Sequence, residues 1–152
     1  MSKLHTQLIH FPITLIMVAF VFQIFAIWKP TWVNRLVPML LLGLGVITSI
    51  LAGISGQDAA TMAITEMILL DFTRNAIETH ERFANFTIWG SLIFLIGWLY
   101  LYFAQHLGKN YPKNSGIDYI ALAFLFLLSL SVGITGYLGG ELVMRYGVGV
   151  GQ

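Results

Sequence analysis

No cysteine occurs among the 152 residues. Its absence excludes disulfides, thiolate zinc sites, iron–sulfur ligation and the C-x-x-C-H attachment of covalent haem. Any metal centre must be held by histidine, methionine, tyrosine or carboxylates. Charge is scarce as well: 10% of residues are Asp, Glu, Lys or Arg, against about a quarter in a soluble domain. Net charge is +1 and no basic run occurs, so nothing points to nucleic acid. Motifs for nucleophilic catalysis, a phosphate-binding loop or a zinc protease are also missing.

Apolar sequence is what the chain has in quantity. Hydrophobic residues make up 57%, and the mean hydropathy is +0.80. Runs of around twenty apolar residues are long enough to cross a bilayer, and four occur: Leu8 to Trp28, Leu36 to Ser55, Phe83 to Tyr102, and Ile117 to Leu138. The first run is too long for a signal h-region and no small-residue cleavage site follows it before Lys29, so it is expected to be retained. The expected fold is an all-α integral membrane protein, an up-down-up-down bundle of four transmembrane helices. One membrane domain, 1–152, accounts for the whole sequence.

The connections differ in length and character. KPTWVNR is short, with Lys29, Pro30, Trp32 and Arg35 forming an aromatic and basic interfacial belt. Between spans two and three, AATMAITEMILL (59–70) is too short to cross and is expected to lie in the interface as an amphipathic segment. Asn75 with Glu78, and Ser115 with Asp118, have capping-box spacing for the third and fourth helices. Asn85-Phe86-Thr87 matches a glycosylation sequon but falls close to the head of a span, and is discounted.

Alternating topology sorts the polar residues onto two faces. One collects His5, His10, Asp58, His80, Glu81, Arg82, Glu141 and Arg145. The other holds Lys29, Arg35, His106, Lys109 and Lys113, with Asp118 its single nearby acid. Lys and Arg near the span ends number four on each face, so the charge rule for orientation is nearly silent. Because the Lys-bearing loops are the short ones, the His-rich face is expected to be periplasmic, in a bacterial inner membrane.

Ionisable residues at the head of a span are expensive to bury and mark candidate sites. His10 stands about one turn into the first helix and His80 about one turn into the third. Two imidazoles facing each other across a bundle are what six-coordinate haem iron requires. The leading expectation is therefore a membrane cytochrome, an electron carrier or redox subunit rather than a stand-alone enzyme. It would hold a non-covalent haem b through His10 and His80. Arg82 or Arg145 would offer donor forks to the propionates, and Asp58 or Glu141 would orient a ligand imidazole. His5 lies five residues from His10, about 140° round a helix, and so cannot share its face; it is read as a headgroup-level residue or a ligand to a second centre. Its partners would be a quinone or a periplasmic redox carrier, with a homo-oligomer or a larger membrane complex as the assembly.

Blander readings accompany each feature. An interfacial histidine is commonly satisfied by a carbonyl or a carboxylate. Gly45, Ser49 and Gly53, Ser129 and Gly133, and Gly136 and Gly140 form small-residue stripes that let helices approach closely, or make room for a flat macrocycle. Glu141 and Arg145 have the acid-first spacing of an i,i+4 ion pair. Two alternatives to the cytochrome follow: a non-haem metal or transport site built from His10, His80, Asp58 and Glu141, and a structural subunit of a membrane complex.

Two end segments carry a resemblance. The chain opens with His5 followed by His10-Phe11-Pro12-Ile13. It closes with Gly136-Tyr137-Leu138-Gly139-Gly140-Glu141-Leu142-Val143 and then Gly147-Val148-Gly149-Val150. In these motifs, in length and in hydropathy it resembles a widespread bacterial family of small four-helix membrane proteins classed as a domain of unknown function. That resemblance implies a setting beside redox modules, Rieske-type iron–sulfur domains among them. Relatives often carry His just before the G-V-G-V stretch, where this chain has Tyr146.

Overall fold

The computed structural model describes residues 5, 7–66, 71–107 and 116–148, apart from the side chains at 32, 58–66, 71–72 and 105–107. Four helices make up the described chain: α1 (His10–Trp28), α2 (Trp32–Glu66), α3 (Asp71–Leu107) and α4 (Gly116–Met144). All four are long and apolar enough to cross a membrane. Each packs against two neighbours, so that α1 touches α2 and α4, and α3 touches α2 and α4, while the diagonal pairs do not pack. This ring of antiparallel neighbours is the four-helix architecture expected from hydropathy.

At 1.5 Å per residue α2 and α3 run about 50 Å or more, against about 30 Å of hydrocarbon. The excess lies beyond the candidate spans Val33–Gln57 and Thr73–Ala104. The stretch expected to be a separate interfacial segment, 59–70, instead prolongs α2 as far as Glu66; its last residues, 67–70, lie outside the described residues. The physical reason is local. After Gly56 no glycine or proline interrupts this Ala-rich stretch, so the helix has no cause to stop. Likewise α3 is already helical at Asp71, its first described residue, ahead of the capping box at Asn75 and Glu78.

The middle of the bundle is a packed apolar plug. Ile16, Ala19, Leu42, Val46, Trp98, Leu125 and Leu128 meet there with almost no exposure. Phe94 stacks on Trp98 at 5.3 Å and on Phe124 at 4.9 Å. Large aromatic area and close packing hold this layer together. Gly45 lets α1 come against α2, since a Cβ there would stand 3.1 Å from Ile16 Cγ1.

One end of the bundle is closed by charge. Arg35 Nη2 of α2 reaches the diagonally opposite α4 and donates to Asp118 Oδ2 at 2.7 Å. Gln23 Nε2 of α1 donates to the Asp118 carbonyl at 2.9 Å. All three residues are buried. Arg35 thus sits inside the bundle rather than in the interfacial belt expected of it.

Candidate functional site

The opposite end is open. A cavity of about 340 Å³ lies between all four helices there, with His5, Pro12, Ser49, Gly53, His80, Thr87, Gly136 and Gly139 in its wall. The elements that build it follow from the sequence. Pro12 has no N–H to offer the Leu8 carbonyl, and regular helical bonding is interrupted at Ile9. Residues ahead of α1 nevertheless keep a helical turn, with Ile9 N–H donating to the His5 carbonyl at 3.1 Å. The buried face of α1 is Pro12, Ile16, Ala19, Gln23 and Ala26. Carried back at the same three-and-four spacing, that stripe passes through Ile9 and His5, both of which line the cavity.

Each imidazole is fixed through Nδ1. His5 Nδ1 lies 3.0 Å from Ser55 Oγ, and the Ser55 hydroxyl donates to the Ala52 carbonyl at 2.9 Å. With its hydrogen so committed, Ser55 accepts and His5 donates. His80 Nδ1 lies 3.1 Å from the Thr135 carbonyl, which only accepts. Both rings therefore carry their proton on Nδ1 and keep a bare lone pair on Nε2. Burial pushes His5 below the usual histidine range, offset in part by hydrogen bonding to the Ala52 backbone. Both rings line the same cavity.

Glycines give the rings their seats. A Cβ at position 56 would stand 2.9 Å from His5 Cε1, and one at 139 would stand 3.2 Å from His80 Cε1. Neither glycine belongs to the small-residue stripes noted in the sequence, of which Ser49, Gly53 and Gly136 line the cavity. Below the rings the floor is hydroxylic: Thr87 donates to the Phe83 carbonyl at 2.8 Å and accepts from Ser131 at 2.7 Å. Ser49 is buried at the floor with a hydroxyl that has no hydrogen-bond partner among the described residues, the kind of group that ordered water or a ligand satisfies.

A family model described as Predicted membrane protein (DUF2231) matches residues 2–152. The chain belongs to DUF2231. No curated protein matches it, and no solved structure does. In this DUF2231 chain the closing G-V-G-V stretch has a structural part in the cavity. Gly147 takes φ +67° and its N–H donates to the Val143 carbonyl at 3.2 Å, the αL cap of α4, while Val148 N–H donates to the Leu142 carbonyl at 2.9 Å. That reversal brings Val148 into the cavity wall.

The residues singled out in the sequence fall into two groups. His5 and His80 are brought together at the cavity. His10 is exposed on the outer side of α1 and does not line it, so His10 and His80 are not brought together. The five-residue spacing is the reason, since only one of His5 and His10 can lie on the interior stripe. Arg82 and Arg145 are both exposed and outside the lining, Arg145 pairing with Glu141 at 3.5 Å. The side chain of Asp58 lies outside the described residues. Among those described, no three His, Asp or Glu gather to hold a metal ion. Sequence reasoning missed the Arg35–Asp118–Gln23 cluster, although Asp118 was the single acid on a basic face.

Proposed function

We propose that this chain is a membrane cytochrome that holds haem b between His5 and His80. The observation that carries the reading is the pair of imidazoles at one cavity, each hydrogen-bonded at Nδ1 and with no hydrogen-bond partner at Nε2 among the described residues. An orienting hydrogen bond on the far nitrogen is the usual support of a metal-ligating histidine. Two such nitrogens are too few for a tetrahedral or octahedral site made by protein alone, and they match what a macrocycle leaves open on its iron. The glycine seats, the apolar walls and contributions from all four helices fit a flat apolar group.

Bound haem would supply one-electron exchange between ferric and ferrous iron. The chain's own residues then have separable tasks. Ser55 and the Thr135 carbonyl aim the two rings, Gly56 and Gly139 let them lie flat against the neighbouring helices, and the apolar plug below keeps water from passing deeper. Among the described residues no lysine or arginine lines the cavity, so propionate contacts with Arg82 or Arg145 would be confined to the mouth. The setting would be a bacterial inner membrane with the histidine end at the periplasmic side, and the partner a quinone or a periplasmic carrier. Transport finds less support, because the plug and the Arg35–Asp118 pair leave the cavity blind.

The test is a visible spectrum of the purified protein after expression with ample haem, oxidised and then reduced with dithionite. A Soret band that shifts on reduction is expected, lost in His5→Ala and in His80→Ala and kept in His10→Ala. No Soret band, or loss only in His10→Ala, overturns the assignment.

A further inference from the structure

The cavity opens sideways. Of the residues in its wall, those that are exposed are Ile50, Ile54 and Gln57 on α2 and Glu81 and Asn85 on α3. Every lining residue from α1 and α4 is buried or half-buried. The aperture is therefore the seam between α2 and α3, and Ile50, Ile54 and Asn85 lie within the candidate spans. A molecule approaching this aperture comes from the lipid, not only from water.

The α3 lip carries an unusual set of side chains for that position. Glu81, Asn85 and Trp89 follow at four-residue spacing, which puts them along one face of the helix, and all three are exposed. The Asn85 amide has no hydrogen-bond partner among the described residues. An amide and a carboxylate offer two N–H donors and several acceptors, and an indole face one turn deeper offers a flat apolar surface. Among the described residues no cation lines the aperture, which disfavours an anionic head group. Around the mouth, Arg74 pairs with Glu78 and Arg145 with Glu141, so these pairs present no surplus of one sign to steer a charged soluble carrier.

We propose that the α2–α3 lip binds the head group of a lipid-soluble quinone, in its oxidised or reduced form. Asn85 donates to a quinone carbonyl or accepts from a hydroquinone hydroxyl, Glu81 accepts from a hydroquinone hydroxyl, and Trp89 flanks the ring. This names the lipid-side partner of the haem reading, and rests on that reading for the redox role alone.

The experiment uses the full chain in detergent with a decyl-tailed benzoquinone, following tryptophan fluorescence. Saturable quenching is expected in the wild type and its saturable part is lost in Trp89→Phe. Asn85→Leu, with helicity and monodispersity unchanged, is expected to raise the apparent Kd about tenfold, the effect of losing a hydrogen bond or two to a neutral head. Quenching that only rises linearly with quinone, or an Asn85→Leu variant that binds like the wild type, overturns the proposal. So does equal displacement by added phospholipid, which makes the lip a lipid seat. His80→Ala separates the two readings: it is expected to lose Soret absorption and keep the quenching. Saturable quenching in a wild-type protein that has no Soret band keeps the binding site and overturns its redox role.

Discussion

The two ends of this bundle solve opposite problems with the same scarce material. At the closed end, Arg35 and Asp118 are both buried, with side chains 6% and 9% exposed, and each needs the other. At the open end, two imidazoles are held by neutral acceptors, and their remaining nitrogens have no hydrogen-bond partner among the described residues. At the closed end the two charges satisfy each other, although Gln23 Oε1 beside them is buried with no hydrogen-bond partner among the described residues. At the open end, in the reading proposed above, the group that completes the site comes from outside the chain, and that contrast separates a structural polar cluster from the proposed binding site.

The sharpest way to break the contrast is to remove one half of the ion pair. Asp118→Ala leaves the Arg35 charge buried with its main acceptor gone, and is expected to cost about 3–5 kcal/mol. Unfolding in detergent followed by circular dichroism measures it. Replacing both partners at once, Arg35→Met with Asp118→Leu, is expected to recover most of that loss, because no charge is then stranded. If the double variant is as unstable as the single one, the pair does more than satisfy itself. Neither change is expected to move a haem spectrum, since the apolar plug lies between the two ends.

A smaller effect is expected at the open end, and on binding rather than folding. Ser55→Ala deletes the acceptor that orients His5 while leaving the ring in place. Loss of such an orienting partner weakens metal affinity about 10–100-fold. Haem titration of the cofactor-free variant reads this directly, and an unchanged affinity would mean that Ser55 does not position the ligand.

The contrast also explains what could be read from the sequence. Hydropathy located four spans and their alternation, because twenty apolar residues have few other uses. His80 was legible, being the single histidine at the head of its helix. The choice between His5 and His10 was not legible from hydropathy, because α1 is apolar on all sides and has no hydrophobic face to identify the interior. A subtler signal was available: Ala19, Gln23 and Ala26 are small or polar residues at three-and-four spacing, and they mark the interior stripe that runs back to His5. Arg35 and Asp118 were misplaced for a related reason. Each sits at a helix end, where a belt residue and a capping acid are the commoner roles, and only the diagonal crossing brings them together.

Glycine replacements give the finest test, since the same chemical change falls on a seat and on open space. At Gly56 a new Cβ meets the His5 ring at 2.9 Å, whereas at Gly97 nothing lies within 4 Å. Alanine is the better helix former by about 0.5–1 kcal/mol. Gly97→Ala is therefore expected to gain up to about that amount in unfolding free energy, with no change in haem affinity. In Gly56→Ala the same gain is opposed by about 1–3 kcal/mol of overpacking, so folding loses no more than about 2.5 kcal/mol while His5 is pushed from its seat and haem binding falls. If both variants bind haem like the wild type, Gly56 is only a close-packing residue, and the glycine at the open end has no part in shaping the site.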